Sequence, residues 1–155
     1  DRFVNLEVGL TTGYSGGDIV PFMRYTDRGW FVSPAYEYDE NNIFAKILRG
    51  EIPCNKVYED DFALAFHDIN PQAPTHILVI PKGPYVSFAD FSEHAPVDLI
   101  AGFTRAVGKV ARDLGLETPG YRLLFNAGQD AHQEVPHLHV NIFGGRRLGP
   151  MLLTD

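Results

Sequence analysis

The sequence predicts an α+β fold, because its strand-like and helix-like segments cluster in separate stretches instead of alternating along the chain. Five segments have the apolar pattern of strands, and two repeat apolar residues every three or four positions, as helices do. The length of 155 residues suits one main domain with its own core. A content of 45% hydrophobic and 21% charged residues is typical of globular proteins.

Composition also limits the classes of function. No apolar run approaches the roughly 20 residues of a membrane span, and we expect no secretory leader. The single cysteine, Cys54, excludes an internal disulfide and a zinc site of paired Cys-x-x-Cys motifs, and it favours a cytoplasmic location. A formal charge of -7 argues against nucleic acid as a partner, although a local positive potential can still bind a small anion.

Residues 1–41 differ in composition from the rest and are predicted to be an N-terminal extension, followed by a single domain at 42–155. Glycines interrupt short aromatic runs in the extension, which predicts loops and one or two short strands. Its aromatic residues are too many for a free tail, so we expect them to pack on the body or on a partner chain. An ordered extension without function remains an open alternative. The aromatic residues are Tyr14, Phe22, Tyr25, Trp30, Phe31, Tyr36 and Tyr38.

The main domain is predicted to begin with a short helix and three antiparallel strands. Apolar residues from Ile43 to Leu48 recur at helical spacing, and Gly50 ends the helix. A hairpin turn at residues 60–61 and a rigid turn at 70–74 separate the strands. The strands are predicted at 56–59, 62–68 and 76–81.

A brief helical turn at 88–92 and a long helix beginning at Pro96 are predicted next, the latter because one apolar stripe runs to Leu114. Gly115 ends this helix. Two further strands, at 121–125 and 138–143, complete the set of five.

The strand-like alternation begins one residue before the last predicted strand and places His137, His139 and Asn141 on one face, since side chains alternate along a strand. Such a row can bind a metal, hold a phosphate or supply a nucleophile. A solvated strand face with incidental histidines is the alternative.

Six blocks of sequence, in this order, resemble the histidine triad (HIT) nucleotide-binding proteins of the Hint-like branch. The resemblance covers residues 42–153 and implies a five-stranded antiparallel sheet with one long and one short helix, dimerising into a ten-stranded sheet. The blocks are Ile43-Phe44-Ala45-Lys46-Ile47, Glu51-Ile52-Pro53, Phe66-His67-Asp68-Ile69, Pro71-Gln72-Ala73-Pro74-Thr75-His76, Val79-Ile80-Pro81-Lys82 and His137-Leu138-His139-Val140-Asn141-Ile142-Phe143-Gly144-Gly145.

The resemblance also implies a purine nucleotide or nucleotide conjugate as the bound molecule, no cofactor, and cleavage at the α-phosphate through a nucleotidyl-histidine. It assigns the nucleophile to His139, with His137 and His76 orienting it and contacting phosphate. An imidazole attacks only through a nitrogen without a proton, so its other nitrogen must donate to a carbonyl.

The nucleotide-binding residues come from the same resemblance. Asp68 matches a ribose-binding carboxylate, although an Asp that shapes the turn before Pro71 is the alternative. The apolar residues of the set are equally compatible with a core. The whole set is Asp68, Ile69, Asn126, Gln133, Glu134, Ile43, Phe44, Ile52 and Phe66.

Several positions depart from the family pattern. Asn141 replaces a third histidine, so a hydrogen-bond donor remains but a proton carrier does not. Glu134 stands where a small hydroxyl residue is usual, and His132 where glycine is common. Asn42 and Ala45 occupy positions that hold zinc-binding cysteines in bacterial relatives, so no metal is expected. The tail at 146–151 lacks a tryptophan that covers the site in some relatives.

Three functions remain open from the sequence. The first is a hydrolase of purine nucleoside phosphoramidates or related conjugates. The second is a nucleotidyltransferase, because transferase branches carry an amide at the third position. The third is a nucleotide-binding protein with catalysis impaired by Asn141. A histidine-cluster metalloprotein lacks a convincing carboxylate or cysteine ligand near the strand. We assign no role to His67 or to His94, which is expected on a surface segment.

Overall fold

The computed structural model describes residues 36–153 in full and, before them, only the backbone of three short strands. These are β1 (Arg2–Val4), β2 (Phe22–Thr26) and β3 (Gly29–Ser33), which form an antiparallel sheet with β2 in the middle. The sequence predicted one or two strands here. Side chains before Tyr36 lie outside the described residues, so the packing expected of the first five aromatic residues stays a prediction, as does the domain boundary at 41/42.

The main sheet confirms the predicted α+β class. Its five strands are all antiparallel, in the order β4-β5-β6-β8-β7. They are β4 (Lys56–Glu59), β5 (Ala63–His67), β6 (Thr75–Pro81), β7 (Arg122–Phe125) and β8 (Val140–Gly144). The helices are α1 (Ile43–Leu48), α2 (Phe88–His94) and α3 (Val97–Asp113).

The two faces of the sheet carry two separate cores. Alternate residues of β5 and β6 divide between them, as strand geometry requires. Ala65 and Val79 join a cluster with Phe103 and other residues of α3. Leu64 and Leu78 point to the opposite face and pack with Phe44 of α1. The predicted stripe of α3 faces the first of these cores from Leu99 to Val110, but the helix ends at Asp113, and Leu114, the last predicted member, is 39% exposed.

Helix α2 corrects the sequence prediction in two respects. It is a helix of seven residues rather than a brief turn. His94, expected on the surface, is only 1% exposed. The reason is an internal pairing one helical turn apart, because His94 Nδ1 lies 2.9 Å from Asp90 Oδ1 and Asp90 is itself fully buried. The polar residues of α2 therefore did not indicate that one of its faces is buried.

Strand β8 begins two residues later than predicted. Its first paired residue is Val140, which faces Val79 of β6 and Phe125 of β7. The backbone N–H of Leu138 donates instead to Tyr85 O over 2.8 Å. His137 and His139 therefore lie in a segment that leads into the sheet, and only Asn141 is a strand residue.

Candidate active site

A cavity of about 200 Å³ opens on the sheet face that carries α1. It adjoins a second cavity of about 320 Å³, and Phe44, Asp68, Leu78, Glu134 and Val135 line both. The polar cavity draws residues from α1, the turn after β5, β6, β8 and the loop between β7 and β8. Its lining residues are Phe44, Asp68, Gln72, His76, Leu78, Asn126, His132, Glu134, Val135, His139 and Asn141.

His139 reaches the polar cavity with one nitrogen already committed. Its Nδ1 lies 2.8 Å from the backbone carbonyl of His137, and because a carbonyl only accepts, Nδ1 carries the proton. Nε2 is therefore the nitrogen with a lone pair. Burial lowers the pKa of His139 below the usual 6.5, although the carbonyl bond and the carboxylates of Asp68 and Glu134 oppose this shift. This geometry is what a nucleophilic imidazole requires.

His76 and Asn141 form a directional chain of hydrogen bonds. The backbone N–H of Gln72 donates to His76 Nδ1 over 3.2 Å, so the proton of this imidazole lies on Nε2. That Nε2 donates to Asn141 Oδ1 over 2.8 Å. The amide of Asn141 then donates through Nδ2 to Leu124 O over 3.1 Å. Both side chains are buried, and the chain fixes the orientation of each.

Asp68 has the turn-forming role that was one of its two predicted roles, and it also lines both cavities, while ribose binding stays a prediction. Its Oδ1 accepts the backbone N–H of Asn70 over 2.8 Å, which is the turn-forming role. Its Oδ2 lies 3.6 Å from His76 Nε2, and the side chain lines both cavities. One carboxylate oxygen shapes the turn while the residue still faces the space between the two cavities.

His137 does not share the cavity with His139. Its side chain is fully buried, with Nδ1 2.6 Å from the hydroxyl of Tyr38 and Nε2 3.1 Å from Pro81 O. Burial lowers its pKa to about 4, so the ring is neutral near pH 7. His137 and His139 nevertheless lie on the same side of the chain, as the alternation predicts, because both rings contact Phe44, with centroids 6.4 Å and 5.1 Å away, while Leu138 between them joins the opposite core. The backbone carbonyl of His137 orients His139.

The loop between β7 and β8 carries three of the predicted binding residues, of which only two line the polar cavity. Asn126 and Glu134 line the polar cavity. Gln133 instead stabilises the loop, since its Nε2 donates to Val86 O and Val135 O while its Oε1 accepts from Gly128 N. A binding role for the Gln133 side chain remains a prediction without a cavity contact.

His132 has a backbone φ of 59°, a left-handed conformation that is typical of glycine. Its Nε2 lies 3.1 Å from Glu134 Oε1 at the mouth of the cavity, where both side chains are largely exposed. The imidazole of His132 thus lies beside the carboxylate of Glu134.

The predicted apolar residues converge on the second cavity. They occupy it to different depths, since Phe44 and Phe66 are buried while Ile43 and Ile69 are exposed, Ile69 to 89%. The rings of Phe44 and His139 also meet edge to face, with centroids 5.1 Å apart, at the junction of the apolar and polar cavities. The predicted members are Ile43, Phe44, Ile52, Phe66 and Ile69.

Asn42 and Ala45 form the N-terminal cap of helix α1. The side chain of Asn42 accepts the backbone N–H of Ala45 over 2.9 Å. Within residues 36–153 no three His, Cys, Asp or Glu side chains form a group that could hold a metal. Nor does any helix in the described part of the chain have the length and apolarity to cross a membrane.

Sequence reasoning missed Tyr38, Gln72, Leu78 and Val135. Leu78 and Val135 line both cavities, and Gln72 acts through its backbone N–H, which no side-chain pattern reveals. Tyr38 lies 99 positions from the His137 that it contacts, and its only sequence signal was the aromatic richness of the extension.

Comparison with known proteins decides the family. Residues 49–148 match the HIT domain family. The chain belongs to the HIT family. A 13.2 kDa HIT-like protein of Azospirillum brasilense is 68% identical over 118 residues, which are 76% of this chain and 97% of that protein. The purine nucleoside phosphoramidase of Escherichia coli K12 is 46% identical over 114 residues, 73% of this chain and 94% of that enzyme.

Solved HIT structures show the same fold. The HIT family hydrolase of Clostridium thermocellum is 41% identical, with a TM-score of 0.68 over 74% of this chain and 99% of its own. A histidine triad protein of Clostridium difficile is 42% identical, with a TM-score of 0.67 over 75% of this chain and 100% of its own. The resemblance read from six sequence blocks is thereby confirmed as HIT membership.

Proposed function

We propose that this HIT protein hydrolyses purine nucleoside phosphoramidates or related nucleotide conjugates at the α-phosphate, through a nucleotidyl intermediate on His139. The observation that carries the proposal is the Nδ1 bond of His139 to a backbone carbonyl, which leaves Nε2 unprotonated in a cavity. The likeness to a named phosphoramidase and to a HIT hydrolase supports this class of activity.

The proposed binding mode follows the two cavities. The purine base occupies the apolar cavity beside Phe44 and Ile52, and the ribose hydroxyls meet Asp68 between the cavities. The α-phosphate then lies in the polar cavity, near His139 and Asn126. AMP is the product released from this position.

In the first step, Nε2 of His139 attacks phosphorus and the bond from phosphorus to the leaving nitrogen breaks. The leaving nitrogen takes a proton from solvent and departs as an amine. In the second step, water attacks the phosphorus of nucleotidyl-His139 and gives up a proton to solvent. The bond from phosphorus to Nε2 breaks, AMP forms and His139 regains its lone pair. The Nε2 proton of His76, held by Asn141, adds a positive edge close to the phosphate, which stabilises its charge.

Asn141 supports the alternative of a nucleotidyltransferase or of a binding protein with impaired catalysis. Its Oδ1 accepts from His76 and its Nδ2 donates to Leu124 O, so the amide is committed to the protein. An amide cannot deliver a proton to a departing amine. Conjugates whose leaving group needs no proton should react best.

A homodimer and a cytoplasmic location belong to the same proposal. The exposed edge strand β7 supports self-association, and purine nucleotides as substrates suit the cytoplasm.

The test is to incubate the protein with adenosine 5′-phosphoramidate and to follow AMP by chromatography and the protein by intact mass. Steady release of AMP supports the hydrolase. An adenylyl adduct that persists until a second acceptor is added supports the transferase, and binding without either product supports the impaired protein. His139→Ala should reduce turnover by about a thousandfold or more and prevent formation of the adduct. Unchanged turnover in that variant contradicts the mechanism.

A further inference from the structure

The buried imidazole of His137 has a hydrogen-bond partner at each nitrogen. Nε2 faces Pro81 O at 3.1 Å, and because a carbonyl cannot donate, Nε2 carries the proton. Nδ1 must therefore accept, and the Tyr38 hydroxyl at 2.6 Å is its donor. The ring is thus held between the end of β6 and the segment that precedes α1.

The protonation of both groups favours this bond at neutral pH. Burial lowers the pKa of His137 to about 4, so the imidazole stays neutral and Nδ1 keeps its lone pair. Burial also raises the pKa of Tyr38 above its ordinary value, so the hydroxyl keeps its proton. The rings of Tyr38 and Phe44 meet the His137 ring edge to face, with centroids 5.6 Å and 6.4 Å away.

The position of His137 determines the position of the proposed nucleophile. The carbonyl of His137 accepts the Nδ1 proton of His139, two residues further along. Both residues precede Val140, where the pairing of β8 begins. The anchors of this segment are the two bonds of the His137 ring and the bond from Leu138 N to Tyr85 O.

We propose that Tyr38 is a positioning residue for the reaction at His139, because its hydroxyl fixes the His137 ring and, through it, the carbonyl that orients the nucleophile. The inference rests on the proposed function and assigns a role to a residue that the sequence placed in the N-terminal extension. Tyr38 lines neither cavity, so its contribution acts on kcat and leaves nucleotide binding unchanged.

The test uses the full chain with Tyr38→Phe, which keeps the ring and removes only the hydroxyl. We expect kcat for adenosine 5′-phosphoramidate to fall about tenfold, because a buried acceptor loses its donor and the nucleophile shifts. KM should change by less than about twofold. The matched control is Tyr58→Phe, which removes a hydroxyl bonded to Asp60 Oδ2 at 2.8 Å on a hairpin outside both cavities.

A second readout needs no turnover. Nitrogen NMR of the imidazoles should show His139 protonated on Nδ1 in the unaltered protein, with its signals displaced in Tyr38→Phe and unmoved in Tyr58→Phe. Incorporation of 3-fluorotyrosine at position 38 keeps the hydroxyl and should displace the His137 Nδ1 signal, even if Tyr38→Phe fails to fold. If the unaltered protein shows no hydrolysis, only the proposed function fails, and the NMR signals still decide whether the Tyr38 hydroxyl holds the His137 ring and orients His139.

Two results overturn the inference. One is a folded Tyr38→Phe variant with unchanged kcat and unchanged His139 signals. The other is an equal loss of kcat in Tyr58→Phe, which makes the effect one of general stability. A fluorotyrosine protein with an unmoved His137 signal likewise contradicts the bond.

Discussion

At His139, a backbone carbonyl holds the proton on Nδ1 while burial opposes a second proton on Nε2. The pKa of this histidine is therefore lowered from its usual 6.5, chiefly by loss of solvent. Asp68 and Glu134 attract the charged form and oppose the shift, and His76 reinforces it. The neutral, nucleophilic imidazole thus persists to lower pH than in a free histidine.

The rate of adenylyl-adduct formation should follow this lowered pKa. As pH falls, the rate should reach half of its maximum below pH 6.5, since Nε2 loses its lone pair when His139 is protonated. Rapid-quench measurements of the adduct at a series of pH values test this. Glu134→Gln removes one carboxylate that favours the charged form, so its acid limb should move to still lower pH. A limb at or above 6.5 in the unaltered protein contradicts the prediction.

Asn141 provides a second prediction at the scale of one residue. Asn141→His should raise kcat/KM for amine leaving groups by about a hundredfold, the usual contribution of a general acid. The 4-nitrophenyl ester of AMP, whose leaving group needs no proton, should gain much less. Comparing the two substrates in both proteins measures the effect. Equal gains for both indicate a change in binding, and the leaving-group explanation is then wrong.

At the scale of elements, the loop between β7 and β8 stores strain at His132, whose φ of 59° is unfavourable for a side chain with a Cβ. His132→Gly should therefore stabilise the protein by about 0.5–1 kcal/mol in urea unfolding. Ala131→Gly, on the adjacent exposed residue without a positive φ, should be neutral or destabilising by a similar amount. Destabilisation by His132→Gly shows that its pairing with Glu134 outweighs the strain.

The elements with a clear pattern of apolar residues could be predicted from the sequence. Helix α3 follows from its periodic stripe, because one of its faces meets a core, whereas β5 and β6 follow from continuous apolar runs, because both of their faces are buried. The start of β8 could not, since the alternation begins before Val140 and only the neighbouring strands decide where pairing starts.

Only some residues of the candidate site could be predicted, because a local sequence pattern does not record contacts with distant segments. The cavity position of His139 and Asp68 could be assigned through the family pattern, which records the fold as well as the sequence. The burial of His137 could not, because the hydroxyl that faces it comes from Tyr38, 99 residues away. Contacts at that separation leave no local period in the chain.

At the scale of the whole molecule, the two edges of the main sheet differ in chemistry. The β4 edge is charged, with Lys56 and Glu59 joined by an ion pair at 2.6 Å, which discourages strand addition. The β7 edge exposes Leu123 to 43% and Phe125 to 37%, and Phe125 meets the exposed ring of Phe88 at 5.0 Å. A ten-stranded sheet by self-association should therefore form at β7.

Leu123→Glu should dissociate the proposed dimer, because in a two-fold interface the new carboxylate meets its own copy near the axis. Sedimentation velocity should give twice the chain mass of 17.3 kDa for the unaltered protein and the single-chain mass for the variant. Lys56→Glu is the matched control on the β4 edge and should remain dimeric. Dissociation by Lys56→Glu instead would place the interface at β4, and a monomeric unaltered protein at tens of micromolar would exclude the assembly.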